Sequence, residues 1–138
     1  MDEPYEEAGP AKAVDPASEV GGRWDLTHEV DATSYAPYAG LRLGYRLTLQ
    51  QEGDRVFGRG RKYTENGALL PADERTAISV DGRIEGRYLI LDFTEQDAAR
   101  TSAGTIRLLI APGGGALQGR FASDAAQSSG TSVARRVR

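Results

Sequence analysis

The sequence predicts an all-β fold: an eight-stranded antiparallel up-and-down β-barrel preceded by a flexible N-terminal tail. Three observations predict it. From Gly21 onward, apolar and polar side chains alternate with period two in eight runs separated by turn residues, and no helical pattern interrupts them. Glycine is abundant, at 17 of 138 residues, which suits tight turns and barrel bends. The sole tryptophan, Trp24, opens the first run, and Arg135, Arg136 and Arg138 close the last. In a closed barrel the first and last strands meet, so a guanidinium can lie across the indole. A two-sheet sandwich is the competing architecture.

The elements follow in order. Residues 1–20 hold three prolines and six acids against one base, and they read as a flexible acidic tail or linker. Residues 21–138 hold sixteen bases against fourteen acids, so the barrel domain itself is nearly neutral. Strands are expected at roughly 22–30, 41–51, 55–64, 75–83, 87–94, 103–110, 116–122 and 130–137. In the first, Trp24, Leu26, His28 and Val30 share one face, which should point inward. The second gives Leu41, Leu43, Tyr45, Leu47 and Leu49 inward. The third is unusual, because its inward face reads Val56, Gly58, Gly60, Lys62 and Thr64. Two glycines there leave room in the lumen, and a β-bulge at either would turn Lys62 outward. The fifth run is ambiguous, since Tyr88-Leu89-Ile90-Leu91 is apolar on both faces, and Leu89, Leu91 and Phe93 are favoured inward; the sixth gives Ile106, Leu108 and Ile110, and the seventh Leu117, Gly119 and Phe121. In the last run, Val133, Arg135 and Val137 alternate, which favours Arg135 as the cover of Trp24.

Connections after the even-numbered runs are short, as at Gln51-Glu52-Gly53-Asp54, and those after the odd-numbered runs are long. In an up-and-down barrel all odd connections fall at one end. Trp24 therefore marks a closed end, and four long loops form an open mouth at the other.

Composition limits the function. Without cysteine there is no disulfide or thiolate metal site, and one histidine excludes a multi-histidine metal centre within the chain. A nearly neutral body lacks the basic face of a duplex-DNA binder. No run of about 18 apolar residues is present, so no membrane insertion by this chain is expected. A cytoplasmic location is expected, with the chain also readable as the water-facing domain of a membrane-anchored protein. Glycine-rich phosphate-loop patterns fail, since Gly58-Arg59-Gly60 has no following helix. No cofactor is expected.

The candidate ligand-binding residues are His28, Tyr45 and Lys62 in the lumen, with Tyr35, Tyr38 and Arg100 at the rim. His28 sits inward, two residues below the first long loop. Lys62 in a barrel mouth needs an anionic ligand, a carboxylate or water. Tyr35 and Tyr38 lie on the first long loop, where rings stack on a flat ligand or pin the loop. Glu95, Asp97 and Arg100 fall in the fifth connection, and Ser128 and Ser129 in the seventh.

The Gly22-Arg23-Trp24 opening with a terminal-strand arginine resembles the calycin superfamily, which includes lipocalins, fatty-acid-binding proteins and avidins. Its signature is a G-x-W on the first strand, with an Arg or Lys of the last strand packed over the Trp. The resemblance implies a barrel whose bottom is sealed by Trp24 and Arg135 or Arg136. It carries over no ligand, because nothing matches the biotin contacts of avidins or the further lipocalin motifs. The barrel with its linker tail also looks like the sensor domain of bacterial membrane-anchored antiphage effectors, in which a small barrel senses a cyclic nucleotide.

The expected function is therefore a non-enzymatic small-molecule-binding barrel with its ligand at the loop-rich end, a nucleotide-type sensor module being one form of it. The alternative is a protein-interaction or oligomerisation barrel with a filled lumen, in which outward Phe57, Tyr63, Tyr88 and Ile90 form a homo-oligomer surface. An enzyme with His28 as general base is a third reading.

Overall fold

Eight long antiparallel strands close into a barrel in the computed structural model, which describes residues 19–96 and 100–137. They are β1 (Gly22–Ala32), β2 (Arg42–Glu52), β3 (Arg55–Glu65), β5 (Ala77–Glu85), β6 (Tyr88–Gln96), β7 (Thr101–Ile110), β8 (Ala116–Ser123) and β9 (Ser128–Arg136). A two-residue strand, β4 (Ala68–Leu69), folds back onto the end of β3. Closure is explicit in the pairing, since β1 bonds both to β2 and to β9. Among the described residues, no helix is long and apolar enough to cross a membrane.

Alternation places the core where the sequence puts it. Trp24, Leu26, His28 and Val30 are all buried, as are Tyr45, Leu47 and Leu49, with Leu41 and Leu43 packed against them. The inward apolar residues of β6, β7 and β8 are buried as expected. The Asn66-Gly67 pair forms a tight turn. Asn66 (φ 51°) and Gly67 (φ 82°) both take the left-handed backbone that a two-residue hairpin demands, and they turn β3 into β4.

On β3 the register irregularity falls between Gly44 and Tyr45 of β2, which leaves Tyr63 without a partner there. It lies beyond Lys62 rather than at Gly58 or Gly60, so Lys62 keeps the inward face opposite Tyr45. Thr64, by contrast, is displaced to the position opposite Gly44, between inward Leu43 and Tyr45, and so faces outward. Gly60 has a geometric reason to be glycine: a Cβ there would run into the carbonyl oxygen of Arg46 on β2.

Two expectations fail at the closed end. Arg136, not Arg135, covers Trp24, with its guanidinium carbon 4.5 Å from the ring centroid. On β9 the buried residues are Ser128, Gly130, Ser132 and Ala134, while Val133 and Arg135 face out. Small side chains face inward because β9 runs between large ones: Gly130 sits opposite Phe121, Ser132 opposite His28, and Ala134 opposite Leu26 and Leu117. Val133 and Val137 therefore gave the wrong parity.

The second failure concerns the tail. Glu19 and Val20, placed within the 1–20 tail, belong to the barrel. Val20 is fully buried beneath the core, its carbonyl accepts a hydrogen bond from Trp24 Nε1 at 2.8 Å, and its N–H donates to Gln51 Oε1 at 2.8 Å. Arg136 fastens this segment, donating to the carbonyls of Gly21 (2.7 Å) and Glu19 (2.8 Å), and to Gly114 of the β7–β8 hairpin (3.2 Å). The rest of the tail lies outside the described residues.

These contacts separate the two arginines experimentally. Arg136→Ala removes a cation–π contact and charge-assisted hydrogen bonds, and is expected to lower stability by about 2–3 kcal/mol in urea unfolding. Arg135→Ala should stay within about 0.5 kcal/mol of wild type. Equal costs for the two would refute the assignment.

Candidate functional site

The strands run further than the sequence suggests, and this reshapes the mouth. β6 extends to Gln96 and β9 begins at Ser128, so the fifth and seventh connections shrink to 97–100 and 124–127. Only the first and third, 33–41 and 66–76, remain long. The first is tied down across the rim. Ser34 donates to the Ala126 carbonyl from its N–H (2.8 Å) and from its hydroxyl (2.7 Å), and Ser128 Oγ reaches Thr33 Oγ1 at 3.0 Å. These bonds hold Ala126 and Gln127 at φ near 50°, an unfavourable backbone for residues with a Cβ.

Below this rim lies a cavity of about 180 Å³. Its walls bring together His28, Tyr38, Tyr45, Lys62 and Arg100 of the expected site. Tyr35 is not among them. It is half exposed and packs edge-on against Tyr38, ring centroids 4.8 Å apart, so it supports the rim from outside. Arg100 stands exposed at the mouth. Asp97 lies outside the described residues.

The polar centre of the cavity is Glu95. Continuing the alternation of Leu89, Leu91 and Phe93 along β6 points Glu95 inward, although a charged residue near a strand end reads as loop. It is largely buried and accepts from Tyr45 Oη at 2.8 Å and from Thr76 Oγ1 at 2.6 Å. Lys62 Nζ lies 3.4 Å from its second oxygen. The carboxylate that Lys62 requires is thus supplied by the protein itself. Thr76 escaped the sequence reading. It is placed by the backbone, since the Lys62 N–H donates to the Thr76 carbonyl at 3.0 Å and carries the β3–β5 ladder to that point. Burial, and then the charge and hydrogen bond of Glu95, push the Tyr45 hydroxyl well above the usual tyrosine range. Tyr45 is therefore a fixed donor to Glu95.

His28 forms the inner part of the wall. It stacks on Phe121 (centroids 4.1 Å, planes 23° apart) and meets Tyr45 edge-on at 5.3 Å. Its Nδ1 lies 2.8 Å from Ser132 Oγ on β9, directly across the strand pair. Ser132 was legible only through that pairing. Burial lowers the His28 pKa from 6.5 to about 3, so the ring is neutral at physiological pH. Its Nε2 is buried, and among the described residues nothing bonds to it.

No protein-family model, curated protein or solved structure matches the chain.

The arrangement contains a chamber of mixed apolar and polar lining with stacked rings, a buried neutral imidazole and an internally balanced ion pair. It is suited to holding a compact molecule by shape, stacking and a few directed hydrogen bonds.

Proposed function

We propose that this chain is a non-enzymatic, calycin-like binding barrel that takes a compact small molecule at its open end, as the sensor domain for a nucleotide-type ligand would. The cavity carries the reading. It is bounded by buried polar groups where a filled core would have apolar side chains in contact. The calycin likeness is supported by the guanidinium of the last strand over Trp24, through Arg136. Size narrows the occupant. A cavity of about 150 Å³ holds a benzene ring, so about 180 Å³ admits one ring and not a long acyl chain. For a nucleotide, the base would enter the chamber and the phosphate would remain at the mouth, beside Lys62 and Arg100. A base whose conjugate acid titrates near pH 3 accepts protons poorly at neutrality, which favours binding over catalysis by His28. The outward aromatics give an assembly surface little support, since Arg55 covers Phe57, Arg75 covers Tyr63 and Arg107 covers Tyr88.

Calorimetry against a metabolite panel that includes nucleotides and fatty acids tests the proposal. A phosphorylated single-ring ligand is expected to bind, and Lys62→Ala to weaken it by about tenfold, the scale of one charged contact. Absence of binding by the wild type, or unchanged affinity in Lys62→Ala, would count against this site.

A further inference from the structure

We infer that the cavity recognises a single-ring molecule carrying a hydrogen-bond acceptor, a carbonyl oxygen or a ring nitrogen, which takes a hydrogen bond from His28 Nε2–H. The inference rests on the binding reading above and specifies the ligand class.

Hydrogen-bond bookkeeping supplies the direction. Ser132 is completely buried, and His28 Nδ1 is its side chain's partner among the described residues. If Nδ1 carried the proton and donated to Ser132 Oγ, the serine O–H would lack an acceptor and Nε2 would be an unused acceptor. That leaves two buried groups unsatisfied. If the serine O–H donates to Nδ1, only the Nε2–H is left. The second arrangement is the less costly, and it makes Nε2 a donor. Nε2 also lies at the end of the ring remote from the backbone, so an inward-pointing His28 extends it toward the barrel axis. The inner polar groups Tyr45, Lys62 and Glu95 bond to one another, while Glu65, Arg100, Ser102, Ser123 and Ser128 complete the polar part of the cavity lining. Near His28 the remaining walls are rings and aliphatic chains, with Phe93 6.3 Å away on one side and Phe121 stacked on the other. Thus an unpaired buried donor beside stacked rings, with room for one ring, defines the chemistry accepted at His28.

A matched pair of probes separates this from simple cavity filling. Acetophenone and α-methylstyrene have nearly the same shape, but only the first presents an oxygen acceptor. Acetophenone is expected to bind about tenfold more tightly, as one hydrogen bond to an otherwise unpaired buried donor provides. His28→Phe should abolish that preference while keeping α-methylstyrene binding. Since His28 is the only histidine, long-range ¹H–¹⁵N correlation on the labelled wild type reads its tautomer directly and does not depend on that variant folding. The expected result is a neutral Nε2–H ring whose Nε2 signal shifts on adding acetophenone. A neutral Nδ1–H ring, or equal binding of the two probes, would overturn the inference and leave the binding site standing. Failure of both probes would overturn it too, and the metabolite panel then decides separately whether the cavity binds anything.

Discussion

Trp24→Ala is expected to cost about 3–5 kcal/mol of unfolding free energy, the range for removing a fully buried aromatic side chain. Few domains of this size hold much more than 5–15 kcal/mol, so the variant should be near the limit of folding. The loss has several sources: the indole volume at the barrel bottom, the bond from Nε1 to the Val20 carbonyl and the platform under Arg136. Urea unfolding followed by circular dichroism measures it, because the substitution removes the only tryptophan fluorophore. Trp24→Phe keeps a ring for Arg136 and should lose less. In either variant, any folded fraction should bind the wild-type ligand with near-wild-type affinity, since Trp24 lies at the end opposite the cavity. A stable variant that has lost binding would show that the two ends have been assigned wrongly.

Acidification should destabilise the protein through His28. The unfolded histidine titrates at its ordinary 6.5, while burial holds the folded one to about 3. Below pH 6.5 the unfolded chain takes up a proton that the folded chain does not, so stability falls with pH. The stabilisation is fully present above pH 6.5 and is lost progressively toward pH 3. At about 1.4 kcal/mol per pKa unit, the total approaches about 5 kcal/mol. The groups packed around the ring are Ser132, Tyr45, Phe93 and Phe121. None of them is a carboxylate, and among the described residues no acidic group bonds to the ring to hold a charged imidazolium. Chemical denaturation at half-unit pH steps measures the slope, and His28→Phe should flatten it over this window. Parallel profiles for the two proteins would remove His28 from the account.

Much of this was legible in the sequence, and the failures have physical causes. Alternation identified the inward residues of β1 and β2, whose outer faces are polar or charged, and of β6 to β8, although Tyr88 and Ile90 make the start of β6 apolar on both faces. Lys62 was placed correctly since the register shift falls at Tyr63, a position that no turn residue marks. β9 misled because its inner face is made of Gly, Ser and Ala, whose smallness reflects the bulk of neighbours on other strands. A single strand read alone cannot reveal that, so Arg135 was preferred to Arg136. Glu95 read as loop because burial of a carboxylate depends on donors from β2 and from residue 76, both distant in sequence. Glu19 and the buried Val20 looked like tail because Gln51 of β2, which holds Val20, and Arg136 of β9, which holds Glu19, are distant in sequence and reach them only in the folded barrel.

That closure sets the order of assembly. The ladder between β1 and β9 joins the first strand of the barrel to the last, so it is among the least local contacts in the chain. Until β9 docks, β1 and β8 remain open edges, and Trp24 lacks its guanidinium cover. Ring closure is therefore a late step, and the entropy of bringing the two ends together slows it. During synthesis, every strand but one can form while the barrel remains unsealed, a period in which exposed edges invite pairing with other chains.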